Sequence, residues 1–270
     1  LGNGFIGLVN GSSWLRSGRM SLSDSVITGL ALSRMLLLCI LLLDGIIIVF
    51  FPKAHDAGVT MQLIDIFWTF TNDLSLWLAT CLGVLFCLKI ASFSHPTFLW
   101  LKWRVSRVVT WMLLGALLLS CGSTMSLIHE FQIFYVLRGI SASRNVTDYF
   151  RKQKTKYERI HVLGILWYVP PLVVALASYV LLILSLGRHT QQMQQNSTSS
   201  SDPSTEAHKR AIKIILSFLF LFLFYFVAFS ITVSSSFLPG DKTTKMFGEL
   251  MTMVYPAGHS FVLILGNNKL

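Results

Sequence analysis

The sequence predicts an all-α membrane protein, a bundle of seven transmembrane helices whose first helix is truncated in this chain. Three observations carry that expectation. Of its 270 residues, 53% are hydrophobic and only 13% charged, with a mean hydropathy of +0.64, more apolar side chain than a soluble domain of this length buries. Val108 to Ile128, Val162 to Leu186 and Ile214 to Phe237 contain no charged residue, and each exceeds the roughly 18–20 residues with which a helix crosses a bilayer. The same runs lack period-two alternation, so they must satisfy their backbone polar groups internally, as helices.

Taken in order, Leu1 to Val9 supplies about half a span, with Asn3 inside it, and Asn10 to Ser21 reads as a polar turn with Arg16 and Arg19. Leu22 to Phe51 is a second helix that holds two ionisable residues, Arg34 and Asp44. Pro52 to Thr60 connects it to a third, Met61 to Lys89, with Asp65, Asn72 and Asp73 in its first half. A polar break at Ser92, Ser94, His95 and Pro96 follows. After it, Phe98 to Arg107 is an amphipathic stretch with Lys102, Arg104 and Arg107 toward the lipid headgroups. The fourth helix runs to Ile128, and His129 to Ile160 is a long loop with seven Lys or Arg. The fifth helix ends at Leu186 and carries Pro170-Pro171, which must kink it because two backbone donors are lost. Arg188 to Arg210 is a polar loop rich in Gln and Ser. The sixth helix reaches about Phe237, Pro239-Gly240 opens a turn, and the seventh spans Met246 to Leu265 with Pro256 and His259 inside. No internal repeat is evident, so residues 1–270 read as one seven-helix domain with both termini cut.

The net charge of +10 would point to nucleic acid in a soluble protein. Here the Lys and Arg fall in the gaps between apolar runs, so the partners implied are anionic membrane lipid and an acidic cytosolic surface, with no nucleic acid. The four cysteines, Cys39, Cys81, Cys87 and Cys121, lie within apolar runs and read as small buried residues. They have neither metal-ligand spacing nor a loop-to-loop disulfide pattern. No HExxH, GxSxG or P-loop occurs, and no enzyme activity, metal or cofactor is expected.

Charge leaves the orientation open. One set of gaps plus the tail carries eleven Lys or Arg, and the other carries ten. Glycosylation sequons start at Asn10 and Asn196 on one face and at Asn145 on the other. Asn145 stands in mid-loop, where an acceptor must be to clear the membrane, whereas Asn10 sits at a helix end.

Ionisable groups within spans are costly and are functional candidates by default. Arg34 has two fates: an interhelical clamp with Asn3 and Ser260 of the seventh helix, or a place in a water-filled core where it repacks on activation. In the third helix Trp68, Asn72, Ser75 and Leu76 share a face, at i, i+4, i+7 and i+8. An aromatic ring with an amide one turn deeper suits a small amphipathic ligand, and it equally suits plain helix packing. In the sixth helix Phe218, Phe220, Phe222, Phe224, Phe226 and Phe229 read mostly as lipid-facing bulk. Tyr225 stands out among them because its hydroxyl wants a partner. Glu249 is the one acid near the outer end of the seventh helix.

The segment Leu88-Lys89-Ile90-Ala91, Ser92-Phe93-Ser94-His95-Pro96, Leu99-Trp100-Leu101-Lys102-Trp103-Arg104 resembles the third helix and second inner loop of the type 2 bitter taste receptors. Similar order and spacing recur at Leu1 to Ile6, Leu30-Ala31-Leu32-Ser33-Arg34, Ser185 to Thr190, Glu206-Ala207-His208-Lys209 and Tyr255-Pro256-Ala257-Gly258-His259-Ser260. The likeness spans essentially the whole chain. Rhodopsin-like hallmarks are absent, with neither Asp-Arg-Tyr after the third helix nor Asn-Pro-x-x-Tyr in the seventh. The resemblance implies a plasma-membrane receptor for small bitter agonists that activates a heterotrimeric G protein, gustducin or another inhibitory-type alpha subunit. It puts Asn145 outside and Arg188 to Arg210 inside, and it places Trp68, Asn72, Tyr225 and Glu249 on agonist-contact positions with Asp44 nearby. Asn3, Arg34, His259 and Ser260 then form a polar activation core, and Lys89, Arg104, Arg188, Lys209 and Arg210 face the G protein.

Overall fold

The computed structural model describes residues 2–51, 59–131, 166–189, 191, 203–235 and 242–266. Among these residues the chain forms short irregular connections and eight helices: α1 (Gly2–Ser17), α2 (Leu22–Phe50), α3 (Val59–Ile90), α4 (Pro96–Trp103), α5 (Val105–Phe131), α6 (Leu166–His189), α7 (Pro203–Ser235) and α8 (Lys242–Gly266). Five of them, α2, α3, α5, α6 and α7, are long and apolar enough to cross a membrane, and α8 has a shorter apolar stretch over Leu250–Leu265. The sequons at Asn145 and Asn196, and most of the basic 129–160 loop, lie outside the described residues.

The first helix differs from its expectation. Where the sequence reads as a polar turn from Asn10, α1 continues to Ser17. Asn10 is buried, and its Nδ2 donates to Thr28 Oγ1 of α2 at 3.1 Å. A polar residue persists inside a helix when a neighbouring helix satisfies it. The real stop is Gly18, whose φ of 63° gives the left-handed turn that ends a helix. Ser21 then caps α2 by accepting from the Asp24 amide at 3.1 Å, with the Asp24 carboxylate favourably placed in the first turn.

α3 is the axis of the bundle. It packs on α2, α4 and α5, and 67% of its central stretch is buried, against 22% in α5. Cys81, Leu82 and Leu85 sit in the core between neighbouring helices. Thr80 Oγ1 reaches the Pro171 carbonyl of α6 at 3.3 Å. Gly83 admits the Tyr179 ring of α6, which a Cβ there would meet at 3.4 Å. On the far sides, Leu118, Trp111, Phe220 and Leu42 are exposed, which in a bilayer is contact with acyl chains rather than with water.

Two expectations about burial need correction. Cys81 and Cys87 are buried, but Cys39 and Cys121 lie on the exposed surface, since a thiol on a lipid-facing helix carries little penalty. In α7, Phe218, Phe222 and Phe229 belong to the core while Phe220 is exposed. With Tyr225 they fall at i, i+4, i+7 and i+11, one face of a helix. The density of phenylalanine around them hides that period.

The amphipathic stretch after α3 forms the separate helix α4. Pro96 opens it, with φ already fixed for a first helical turn. It buries no residue. Lys102 Nζ donates to the Ala91 carbonyl at 2.7 Å and the Ser92 amide donates to Ser185 Oγ of α6 at 2.8 Å, so the break is pinned to both neighbouring helices.

Candidate functional site

Two polar groupings meet α3, one at Ser75 and the other at Trp68, Asn72 and Asp73. At about 100° per residue, Ser75 stands about 60° round the helix from Asn72 and about 160° from Asp73. Toward α1, α2 and α8 stands Arg34, which is fully buried. Its Nε donates to Ser75 Oγ of α3 and its Nη1 to Ser260 Oγ of α8, each at 3.4 Å. The Ser260 hydroxyl in turn bonds Asn3 Oδ1 of α1 and the Pro256 carbonyl of its own helix. The guanidinium carbon lies 5.0 Å from the centroid of the Tyr255 ring, where the ring face attracts a cation. The side chain thus ties α2 directly to α3 and α8, and to α1 through Ser260. His259, one residue from Ser260, is buried with its ring stacked on Phe218 at 4.4 Å.

Toward α5, α6 and α7 the character changes. Tyr225 of α7 donates its hydroxyl to Asn72 Oδ1 at 2.9 Å, while Asn72 Nδ2, also buried, has no partner. Trp68 lies one turn away on α3 and stacks on Phe229 at 6.0 Å. Phe229 also stacks on Tyr225 at 6.0 Å and meets the Tyr168 ring of α6 edge-on at 4.8 Å. The result is an aromatic cluster around one amide that still has two N–H donors to offer. Next to it Asp73, also buried, accepts a hydrogen bond from Ser123 of α5. The two sides touch through a tyrosine pair, with the Tyr225 and Tyr255 centroids 5.2 Å apart.

The structure therefore brings together Trp68, Asn72 and Tyr225, and separately Asn3, Arg34 and Ser260. Asp44 is half-buried ten residues along α2 from Arg34, about 15 Å along the helix axis. Glu249 falls on α8, six residues before Tyr255, and its side chain is outside the described residues, as are those of Lys209 and Arg210 at the start of α7. Lys89 donates to Ser23 Oγ at 2.8 Å, Arg104 lies 4.9 Å over the Trp100 ring, and Arg188 is exposed. Sequence reasoning passed over Phe229, Tyr168 and Tyr255. For Phe229 the helical register with Tyr225, and for Tyr255 that with His259 in α8, was the available signal; Tyr168 on α6 gave none. A groove of about 730 Å³ between α7 and α8, lined by Leu216, Phe220, Gly258 and Phe261, opens on the apolar exterior and away from both groupings.

A helical bundle with an apolar exterior, whose buried polar side chains bond across helices, is a multi-pass membrane protein. The chain belongs to the taste receptor family: the family described as "Taste receptor protein (TAS2R)" matches residues 1–270. Among similar proteins, the taste receptor type 2 member 3 of Papio hamadryas is 73% identical over 270 residues, 100% of this chain and 86% of the relative. That of Homo sapiens is 70% identical over 268 residues, with 99% and 85% covered. That of Rattus norvegicus is 58% identical over the same coverage. The protein is accordingly a receptor of the plasma membrane, and no enzyme.

Proposed function

We propose that this receptor binds small bitter compounds between α3, α6 and α7 and activates a heterotrimeric G protein, gustducin or another inhibitory-type alpha subunit, at the end of the bundle that carries α4. The observation that carries the reading is the Asn72–Tyr225 hydrogen bond set among Trp68, Phe229 and Tyr168, with Asn72 Nδ2 unpartnered. A buried donor without a partner costs about 1–3 kcal/mol, which a ligand acceptor recovers on binding. The aromatic walls supply apolar contact, and the amide fixes orientation. Glu249 and Asp44 extend the site toward its mouth.

Arg34, Asn3, Ser260 and His259 form the part of the core that repacks on activation. Tyr255 carries the change, since its ring contacts both Tyr225 and the Arg34 guanidinium. Lys89, Arg104, Arg188, Lys209 and Arg210 make the cationic rim that meets the G protein. In this orientation Asn145 is extracellular and glycosylated. Asn10, buried against Thr28, is no acceptor.

The deciding experiment is a panel of bitter compounds on full-length receptor in cells, reading calcium with and without a co-expressed G-protein alpha subunit. A response that requires the alpha subunit is expected, and ion flux without any G protein would sink the reading. Neutralising Lys209 and Arg210 together should lower G-protein activation at unchanged surface expression. Asn145→Gln should abolish the endoglycosidase band shift, and loss of that shift from Asn196→Gln instead would invert the topology.

A further inference from the structure

Asp73 takes no part in the site proposed above, yet it is an acid inside a membrane-spanning helix. Its side chain is buried. Oδ2 accepts from Ser123 of α5, while Oδ1 accepts no hydrogen bond. A carboxylate within a membrane span is expensive, and such acids usually face another polar element or a pathway. The buried cation nearest along the chain, Arg34, bonds Ser75, which projects from α3 on roughly the opposite side from Asp73. Asn72, the preceding residue, presents a second unpartnered atom, Nδ2, and the Tyr168 hydroxyl of α6 stands beside both residues. Two adjacent residues of one helix therefore offer an unused acceptor and an unused donor beside the same aromatic cluster.

We infer that Asp73 is a specificity-determining residue of this receptor: its Oδ1 receives the protonated nitrogen of aromatic amines, whose ring lies against Tyr168 and Phe229. The inference rests on the site proposed above and names the ligand class it favours. An ammonium N–H donates to Oδ1, Ser123 continues to hold Oδ2, and the Asn72 amide donates to an acceptor elsewhere on the ligand. The geometry asks of the ligand a cationic donor and a nearby acceptor on one side of an aromatic plane. A neutral compound satisfies the amide alone and leaves the carboxylate as it was. Hydrogen bonds to a charged group are roughly twice as strong as neutral ones, so the amine is the better ligand of a matched pair.

The test uses full-length receptor in the calcium assay, with matched aromatic amines and uncharged isosteres in which the nitrogen is replaced by carbon or oxygen. Asp73→Asn should raise the half-maximal concentration of the amines about tenfold or more, while neutral partners move by less than about threefold. The amine-to-neutral ratio within each variant does not depend on how much receptor reaches the surface. Asp73→Ser replaces the amide variant if that one fails to fold. Ser123→Ala should shift both members of every pair alike. Equal shifts of amines and isosteres in Asp73→Asn, or no shift, would reduce Asp73 to a clamp on α5 and overturn the inference. So would wild-type receptor blind to every amine, or amine preference lost only with Glu249→Gln. Trp68→Ala separates the two levels. If it changes no compound's potency, the site itself is wrong. If it weakens all compounds while Asp73→Asn shows no amine selectivity, only the present inference fails.

Discussion

The two polar groupings that meet α3 solve the same problem differently. In one a full charge is buried, and Ser75, Ser260, Asn3 through Ser260 and the Tyr255 ring hold it, while Arg34 Nη2, the Tyr255 hydroxyl and both His259 ring nitrogens have no hydrogen-bond partner. In the other, rings pack around one neutral amide, and Asn72 Nδ2 and Asp73 Oδ1 have no hydrogen-bond partner. Desolvation explains the contrast. A guanidinium inside a span survives only where dipoles and ring faces surround it. An unpartnered neutral amide costs far less and can be tolerated where something else is to bind. The first grouping ties helices together around a charge, and the second, on the reading proposed above, is the one that receives a ligand.

Arg34→Ala breaks that comparison most severely. It empties a fully buried site and leaves Ser75 and the Ser260–Asn3 pair facing a void, a loss of about 3–5 kcal/mol. Surface expression should collapse and the melting temperature of solubilised receptor should fall; a normally expressed variant would show that the clamp does not hold the fold. Trp68→Ala follows. It should leave the melting temperature within a few degrees while agonist potency drops about tenfold across the panel, as concentration–response curves will read. Tyr225→Phe is gentler because it keeps the ring stacked on Phe229 and removes only the donor to Asn72. About 1 kcal/mol is at stake, visible as a several-fold potency loss with intact expression, and a larger loss of stability than of potency would move Asn72 into the holding class. The smallest effect belongs to Ser23→Ala. Its partner Lys89 is exposed, so less than about 0.5 kcal/mol should be lost; a marked loss of G-protein activation there would instead show that the pair orders the inner rim.

Much of this was legible in the sequence. Charge-free runs marked the spans, and an arginine in the second of them demanded partners on other helices, which Ser75 and Ser260 provide, Asn3 being reached only through Ser260. Trp68 and Asn72 announced themselves by helical spacing. The phenylalanines of α7 did not, because every position looks equally apolar when a run is nearly all apolar, and only packing separates Phe222 from Phe220. Asn10 was misread for a related reason. Its amide marks a turn when unpaired, and only the proximity of Thr28 keeps it inside a helix. Asp73 was visible as an acid in a span, but which of its oxygens would be left over is a matter of how α5 settles against α3.

One consequence of the Arg34 clamp concerns the making of the protein rather than its working. Ser260 follows Arg34 by 226 residues in the chain. At ribosomal speeds of about 5–20 residues per second, roughly 10 to 45 seconds separate the synthesis of the charge from that of its partner on α8. During that interval the newborn α2 holds a guanidinium whose last ligand has not been made, with Ser75 arriving first and α8 closing the arrangement. Assembly of the receptor therefore has a direction and a finishing step, and a nascent chain stalled before α8 should remain a client of the quality-control machinery however well its other helices have inserted.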